Sequence, residues 1–184
     1  MVISDILRAR GVEVEGVFDD NADVTAFCGM SVGHDWKGQE PVIISIGNCD
    51  VRRRIARRLA CRFGTAVHPS AIISPSATIG EGTVVMPGAV INAQASIGRH
   101  CIINTRASVD HECRIGDFVH VAPGATISGD VEVGEGTWIG AGSVVKQGIK
   151  IGKNCMIGAG SVVVRDIPDG VTAFGNPCKI KILN

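Results

Sequence analysis

The stretch CIINTRASVDHECRIGDFVHVAPGATI, residues 101–127, has an Ile or Val at every sixth position. The same spacing continues in both directions without a slip, giving seventeen such residues: Val67, Ile73, Ile79, Val85, Ile91, Ile97, Ile103, Val109, Ile115, Val121, Ile127, Val133, Ile139, Val145, Ile151, Ile157 and Val163. Neither an α-helix nor an alternating strand has this period. A six-residue repeat of this kind predicts a β-helix, in which short strands are joined by tight corners.

A second line of mostly small residues stands two positions before each aliphatic residue, from Thr65 through Cys101 to Ser161. Because residues two apart in a strand face the same side, both lines are expected to point inward and to fill one narrow core. Gly often follows the aliphatic residue, as at Gly98 and Gly140. We expect these glycines to supply the positive φ that a tight corner needs.

Composition and charge narrow the classes of function. The chain has 184 residues and a formal net charge of +0, which argues against bulk attraction to nucleic acid or to a membrane surface. No apolar run is long enough for membrane insertion, and no signal peptide follows Met1. Seven Cys without a C-x-x-C pair indicate a reduced, cytoplasmic protein, in which Cys101, Cys113 and Cys155 are core fillers.

The sequence divides into two expected domains. Residues 1–64 lack the six-residue period and predict a small Rossmann-like α/β domain, whereas residues 65–184 predict the β-helix domain with a C-terminal tail. In the first domain an apolar helical stripe ends at Gly11, a residue suited to a C-terminal cap. We then expect a strand over residues 12–18 and a polar loop through Gln39.

A compact apolar strand over residues 41–46 runs into the turn of residues 47–50 and then into a helix. A strand, a Gly turn and a helix in this order can receive a phosphate in α/β folds. The alternative is an ordinary turn followed by a helix with a solvated arginine face. The apolar face carries Val51, Ile55 and Leu59, and the basic face carries Arg52, Arg53, Arg54, Arg57 and Arg58.

Among the five His, His111 has the surroundings best suited to catalysis. It follows inward-facing Val109 by two residues and lies between Asp110 and Glu112 on an expected outer corner. Flanking carboxylates stabilise the imidazolium that forms when His accepts a proton. His111 is therefore a candidate general base, the alternative being a solvated corner His. The sequence has no Gly-x-Ser-x-Gly nucleophile elbow and no zinc site of the Cys type.

The repeats, followed by the tail FGNPCK at residues 174–179, resemble the hexapeptide-repeat acyltransferases. The finer resemblance is to the bacterial nucleotide-sugar N-acetyltransferases, which acetylate a UDP-4-amino sugar; sialic-acid O-acetyltransferase-like proteins share the architecture. The similarity extends over nearly the whole chain, and its most specific part is VDHEC at residues 109–113 followed by IGDFVH at residues 115–120. Further matching stretches are residues 18–20, 46–48, 68–71 and 104–105.

This resemblance implies a mainly β fold, a left-handed parallel β-helix with three hexads per coil. Seventeen hexads then give between five and six coils, roughly 27 Å tall at about 4.8 Å per coil. In the family the His matching His111 is the general base, and the Glu matching Glu112 tunes it. The remaining implied contacts are His120, Ala141 and Ala159 with acetyl-CoA, and Asp19, Asp20, Gly47 and Asp50 with the nucleotide.

The implied reaction is acetyl transfer from acetyl-CoA to the amino group of a UDP-4-amino-4,6-dideoxy sugar, in bacterial surface-glycan or glycoprotein-glycan biosynthesis. It involves no metal and no covalent acetyl-enzyme. The family begins with a strand and a Gly-rich turn that cradle the nucleotide, whereas Met1 here falls inside the helix that should follow that turn. Either the Rossmann-like domain is N-terminally truncated by a misplaced start, or the chain has lost part of its sugar-nucleotide site. We therefore expect this chain to bind acetyl-CoA normally and the UDP-sugar weakly. Cys178 stands where the family usually has Ala.

Residue arithmetic tests the implied sites. Ala141 and Ala159 are 18 residues apart and should stack on successive coils, with His120 near the same edge. His111 and His120 are 9 residues apart, half a coil, and should lie on opposite sides of one prism. A homotrimer can bring them together, with His111 of one prism facing His120 of its neighbour.

Other functions remain open at this point. One is a sugar O-acetyltransferase of the sialic-acid type, and another is a non-catalytic binding protein that has lost its nucleotide turn. A hexapeptide-repeat carbonic anhydrase would hold zinc with three His between subunits, but only His111 and His120 are suitably placed. Nucleic-acid binding by the basic helix is a poor alternative, because no aromatic residues interleave its arginines.

Overall fold

The computed structural model describes residues 1–181, in which a small α/β segment precedes a left-handed β-helix. The segment contains α1 (Val2–Ala9), β1 (Val17–Phe18), β2 (Ala26–Phe27), β3 (Met30–Gly33) and α2 (Cys49–Arg58). Strand β3 lies between β1, to which it is parallel, and β2, to which it is antiparallel.

The β-helix is a triangular prism whose three faces are parallel sheets. Face 1 contains β4 (Ala66–Val67), β7 (Val84–Val85), β10 (Ile102–Ile103), β13 (His120–Val121), β16 (Trp138–Ile139), β19 (Met156–Ile157) and β21 (Thr172–Phe174), with β22 (Lys179–Ile180) antiparallel at its end. Face 2 contains β5 (Ile72–Ile73), β8 (Val90–Ile91), β11 (Ser108–Val109), β14 (Thr126–Ile127), β17 (Val144–Val145) and β20 (Val162–Val163). Face 3 contains β6 (Thr78–Ile79), β9 (Ser96–Ile97), β12 (Arg114–Ile115), β15 (Glu132–Val133) and β18 (Lys150–Ile151).

Each coil contains three hexads, as the family resemblance implies. Val109, for example, pairs with Ile127, which is 18 residues further along the chain. We name each corner by the faces it joins. Corner 1–2 follows a strand of face 1, corner 2–3 follows a strand of face 2, and corner 3–1 follows a strand of face 3.

The two predicted core lines are confirmed over most of the prism. From Val85 to Val163 every residue of the aliphatic line is at most 3% exposed, and the small line is buried alongside it. At the first coil the prediction is only partly met, because this coil has another coil on one side only. Thr65 is exposed there, and Val67 is partly buried. All seven cysteines are unpaired.

The predicted role of the glycines that follow the aliphatic residues is wrong. Gly98 and Gly140 have ordinary φ values, and a Cβ on Gly140 would lie 2.5 Å from the backbone nitrogen of Ala159. These glycines therefore let successive coils approach closely. Positive φ falls instead on the third residue after the aliphatic one, which is Glu112 (φ 59) in one coil and Gly142 (φ 66) in another.

The α/β segment departs from the predicted strands. The expected strand over residues 12–18 shortens to β1, and the expected polar loop contains the hairpin of β2 and β3. Cys28 (φ 49) and Gly29 (φ 79) form its two-residue turn, and positive φ at both positions suits the twist of a hairpin. Residues 41–46 form no regular strand, and the β pairing described there is a single parallel bridge from Val42 to Phe63.

The segment rests on face 1. Ile6 of α1 is completely buried and packs with Ala66, Val84, Met86 and Ile102. The turn of residues 47–50 includes the first two residues of α2 and lies against the prism, because Nδ1 of His120 on face 1 is 3.3 Å from the carbonyl oxygen of Gly47. Asn48 caps α2, because its Oδ1 accepts the backbone N–H groups of Asp50 and Val51 at 3.0 Å each.

Candidate functional site

His111 lies at corner 2–3, directly after β11, and its side chain is 56% exposed. Its Nδ1 lies 3.1 Å from Oε2 of Glu112. We assign the ring proton to Nδ1, where it is donated to the carboxylate, and this leaves the lone pair on Nε2. An imidazole held in this way can accept a proton at Nε2.

Asp110 shapes the corner that carries His111. Its Oδ1 accepts the backbone N–H of His111 at 2.8 Å and the side-chain amide of Asn92, one coil earlier, at 2.8 Å. The Asn92 amide, followed by the His111 N–H, holds the pKa of Asp110 below its ordinary value. Asp110 is therefore a carboxylate that fixes the backbone, whereas Glu112 is the carboxylate that contacts the imidazole.

Gly129, on the next coil of the same corner, adjoins the His111 ring. A Cβ on Gly129 would lie 2.5 Å from Cε1 and 2.6 Å from Nε2 of His111. Sequence reasoning missed this residue. The available signal is its position 18 residues after His111, which in a three-hexad coil places the two residues one above the other.

His120 lies on face 1 and is only 5% exposed. Its Nδ1 lies 3.3 Å from the carbonyl oxygen of Gly47, its Nε2 lies 3.0 Å from Nδ2 of Asn104, and its ring packs against Trp138. Burial, and then the positive charge of Arg52, lower the pKa of His120 to about 4. The imidazole is therefore neutral near pH 7, with Nδ1–H donated to Gly47 and Nε2 accepting from Asn104.

The two histidines do not meet within one chain. His111 stands at corner 2–3, and His120 stands on face 1, which is the face opposite that corner. Both ring nitrogens of His120 are already engaged, so a hydrogen bond from a cofactor would require one of these contacts to open. The predicted contact of His120 with acetyl-CoA stays a prediction.

Ala141 and Ala159 lie exposed at corner 1–2, one above the other. The carbonyl oxygen of Ala141 accepts the N–H of Gly160 at 2.8 Å, which fixes their stacking on successive coils. Asn104 lies at the same corner two coils earlier. The small side chains of Ala141 and Ala159 leave this part of corner 1–2 open. The predicted cofactor contacts of the two alanines stay predictions.

The four predicted nucleotide contacts lie at two ends of α2. Gly47 and Asp50 are at its first turn, and the carboxylate of Asp50 pairs with Arg53 at 3.2 Å. Asp20 instead accepts Arg58, in the last turn, at 2.9 and 3.0 Å. The structure therefore does not bring all four together, and Asp19 uses its Oδ1 to accept the N–H of Asn21 at 2.8 Å.

The predicted solvated arginine face of α2 is wrong for two of its five members. Arg52 is 1% exposed and is the largest of the buried side chains within residues 1–181. Arg53 contacts Glu135 at 3.1 Å and Asn154 at 2.8 Å, both at corner 3–1. The signal for Arg52 was its spacing of three from Ile55, which places both residues on the packed side of the helix.

Within residues 1–181, no group of three or more His, Cys, Asp or Glu side chains is arranged to hold a metal ion. In that same part of the chain, neither helix is long and apolar enough to cross a bilayer.

Two family profiles match the chain. The profile described as "Bacterial transferase hexapeptide (six repeats)" matches residues 94–129 and 130–165, which include the His111 corner and the two stacked alanines. The profile described as "PglD N-terminal domain" matches residues 1–59, which contain α1, the hairpin and α2.

Solved structures are similar over almost the whole chain. The acetyltransferase domain of PglB from Neisseria gonorrhoeae FA1090 is 37% identical, with a TM-score of 0.92, over 98% of this chain and 93% of that chain. The same domain in complex with acetyl coenzyme A has a TM-score of 0.91 at 37% identity, over 98% and 93% of the two chains. PerB from Caulobacter crescentus, in complex with CoA and GDP-perosamine, is 41% identical with a TM-score of 0.92. The match covers 98% of this chain and 91% of that chain.

A curated protein is similar over a shorter stretch. UDP-N-acetylbacillosamine N-acetyltransferase of Bacillus subtilis is 52% identical over 99 residues, a match that covers 44% of this chain and 44% of that protein. The chain thus spans less than half the length of this curated relative.

Proposed function

We propose, from the premise that this chain belongs to the hexapeptide-repeat nucleotide-sugar N-acetyltransferases, that it transfers an acetyl group from acetyl-CoA to the amino group of a nucleotide-linked sugar. The observation that carries the proposal is the His111–Glu112 pair on an exposed corner. The PerB complex with CoA and GDP-perosamine supports an amino-sugar nucleotide as acceptor. The UDP-linked 4-amino-4,6-dideoxy sugar is our first candidate, and the product would enter bacterial surface-glycan or glycoprotein-glycan biosynthesis.

His111 acts as the general base in this proposal. The amine nitrogen of the sugar attacks the thioester carbonyl of acetyl-CoA, and Nε2 of His111 takes the proton that the amine loses. The C–S bond then breaks, and the thiolate of CoA leaves with the electron pair and is protonated to the thiol. Glu112, at Nδ1, keeps the ring oriented and stabilises the imidazolium as it forms. A positioned base of this kind is worth about 10²–10⁴-fold in rate.

In this proposal the site lies between subunits, and the faces of the prism support a homotrimer. Outward residues of face 3 include Arg114, Glu132 and Lys150 in a charged ladder, and face 1 is partly covered by the α/β segment. Face 2 has no charged residue among its outward positions, which are Ile72, Val90, Ser108, Thr126, Val144 and Val162. Face 2 is therefore the face best suited to meet other copies.

A threefold axis facing face 2 would make corner 2–3 of one subunit meet corner 1–2 of the next. His111 would then stand opposite the neighbour's edge that carries Asn104, Ala141 and Ala159. Acetyl-CoA would lie along that edge, with its thioester near His111. His120 of the same subunit would fix the orientation of Asn104, through the contact of 3.0 Å between Nε2 of His120 and Nδ2 of Asn104.

The nucleotide end belongs, in this proposal, to residues 1–64, and the acetyl end to residues 65–184. Gly47 and Asp50 lie at the start of α2, where helix N–H groups favour a phosphate. Asp19 and Asp20 hold the nucleotide from the other end of the helix. The unpaired cysteines are consistent with a reaction in the reducing cytoplasm.

Replacement of His111 tests the function directly. We expect His111→Ala to reduce turnover by about 10²–10⁴-fold while the affinity for acetyl-CoA, measured by isothermal titration, stays unchanged. Thr78→Ala, an exposed truncation on face 3, is the control. Near-full acetylation by the His111→Ala protein would overturn the assignment, and His120 would become the next candidate base.

A panel of acceptor substrates distinguishes the proposed N-acetyltransferase from an O-acetyltransferase and from a binding protein. UDP- and GDP-linked amino sugars should be acetylated, whereas sugars that offer only a hydroxyl should not. Turnover of a sialic-acid hydroxyl alone would indicate the O-acetyltransferase alternative. Calorimetric binding of acetyl-CoA and nucleotide sugar without any turnover would indicate a binding protein.

A further inference from the structure

Arg52 is a buried cation whose described hydrogen bonds go to four carbonyl oxygens and one thiol. Its Nε donates to the carbonyl of His100 at 2.7 Å, and its Nη2 donates to that of Phe118 at 2.8 Å. Its Nη1 donates to the carbonyls of Ile46 and Gly47, each at 2.8 Å. No carboxylate pairs with it among the described salt bridges. Burial of an unpaired charge is costly unless hydrogen bonds replace its water.

These four acceptors belong to two parts of the molecule. Ile46 directly precedes the turn of residues 47–50 and Gly47 begins it, whereas His100 and Phe118 lie 18 residues apart at corner 3–1, on successive coils. The guanidinium therefore joins the turn to two coils at once. The planar fork of Arg, unlike the point charge of Lys, can satisfy acceptors in several directions.

The carbonyl of Gly47 is the shared point of this arrangement. It accepts Nη1 of Arg52 at 2.8 Å and lies 3.3 Å from Nδ1 of His120, whose other nitrogen contacts Asn104. The turn is thus held from corner 3–1 by Arg52 and from face 1 by His120. Its placement relative to corner 1–2 depends on both donors.

General attachment of the α/β segment has other sources. Ile6 of α1 packs against face 1, and Arg53 pairs with Glu135 at corner 3–1. Loss of the Arg52 guanidinium would therefore loosen the turn of residues 47–50 more than it would detach the whole α/β segment.

We propose that Arg52 is a positioning residue for the nucleotide-sugar end of the site: it sets the position of the turn of residues 47–50 above the prism without touching the substrate. This inference rests on the proposed function. It predicts a selective effect, because the turn would hold the nucleotide while acetyl-CoA would lie along corner 1–2.

The kinetic test compares Arg52→Lys and Arg52→Met with Arg54→Lys and Arg54→Met. Arg54 is exposed on the same helix and is a matched control. We expect Arg52→Lys to raise KM for the nucleotide sugar by about tenfold or more, with KM for acetyl-CoA and kcat at saturation within roughly threefold of the parent. The Arg54 variants should behave as the parent. Equal changes in both KM values, or no change in either with the fold intact, would overturn the proposal.

Hydrogen exchange tests the same inference without turnover. Arg52→Lys should speed exchange of the amides of Asp50 and Val51, which donate to Oδ1 of Asn48 in the turn, by about tenfold, while amides of α1 keep their protection. If the turn and α1 lose protection together, Arg52 is a general attachment and the proposal is wrong. An inactive parent protein would refute the proposed function alone, because the exchange result still decides the role of Arg52.

Discussion

The imidazole of His111 occupies the space beside Gly129 into which a side chain would project, since a Cβ on Gly129 would lie 2.5 Å from Cε1 of His111. The φ of Gly129 is not positive, so the backbone itself would accept Ala. The absence of a side chain at Gly129 is therefore explained by the ring and not by the turn.

Gly129→Ala should displace the His111 ring from its contact with Glu112. We expect kcat to fall by about 10–100-fold, part of the worth of a positioned base, with both KM values near those of the parent. The decisive measurement is a double-mutant cycle. In a His111→Ala background the same change should cost nothing further, and independent effects of the two changes would contradict the predicted contact.

Glu112 should matter through both its charge and its shape. Glu112→Gln keeps an oxygen that can accept Nδ1–H, and we expect it to reduce kcat by about tenfold. Glu112→Ala loses the acceptor as well and should reduce kcat by about a hundredfold, still less than loss of His111. Release of the CoA thiol measures these rates. Equal losses for the two variants would show that only the charge counts.

Face 2 should be the surface that forms the trimer. Val144→Arg places a charge on an outward position of this uncharged face and should give monomers by light scattering, with activity lost. Thr78→Arg makes a comparable addition on face 3 and should leave the assembly intact. A trimeric and active Val144→Arg protein would direct the search for the interface elsewhere.

Subunit mixing tests whether the site is shared. His111→Ala and Ala141→Trp subunits should each be inactive as pure assemblies, because each spoils one half of the site. After unfolding and refolding together in equal amounts, about a quarter of the sites should have both halves intact. No recovery from a properly assembled mixture would place both halves in one subunit.

His120 should make the protein less stable in mild acid. Its pKa is about 4 in the folded protein against an ordinary value of 6.5, so between these values the unfolded chain binds a proton that the folded protein excludes. The free energy of unfolding therefore falls as pH drops from 6.5 towards 4, by roughly 3 kcal/mol at most from this group. Urea unfolding of His120→Gln should show a weaker decline over this range, with exposed His34→Gln as control. An identical decline in both variants would contradict the prediction.

Features that depend on residues close together in the sequence can be predicted from the sequence. Features that depend on contacts between distant residues cannot. The β-helix and its core lines were predictable because every hexad repeats one local rule, and the corner position of His111 follows from Val109. The hairpin was missed, although the Cys28–Gly29 turn between short apolar stretches was a readable signal. The burial of Arg52 is hard to predict from local sequence, because its partners His100 and Phe118 lie 48 and 66 residues away.

The glycine expectation failed for a related reason. A Gly after an aliphatic residue suggests a local requirement for positive φ, whereas Gly140 is needed because Ala159 of the next coil approaches it. Contacts between coils are invisible to a rule applied to one hexad at a time. The pairing of Asp20 with Arg58, which spans 38 residues, is likewise not readable from local sequence.

The cysteines of the small inward line give the protein a set of internal reporters. Burial raises the pKa of Cys101 to about 12, and Cys113 and Cys155 are buried beside the same core. These thiols become reactive only when the coil around them opens, whereas Cys49 becomes reactive when α2 lifts from the prism. Mass spectrometry of thiol labelling over time would therefore distinguish opening of the α/β segment from opening of the coil, without any introduced probe.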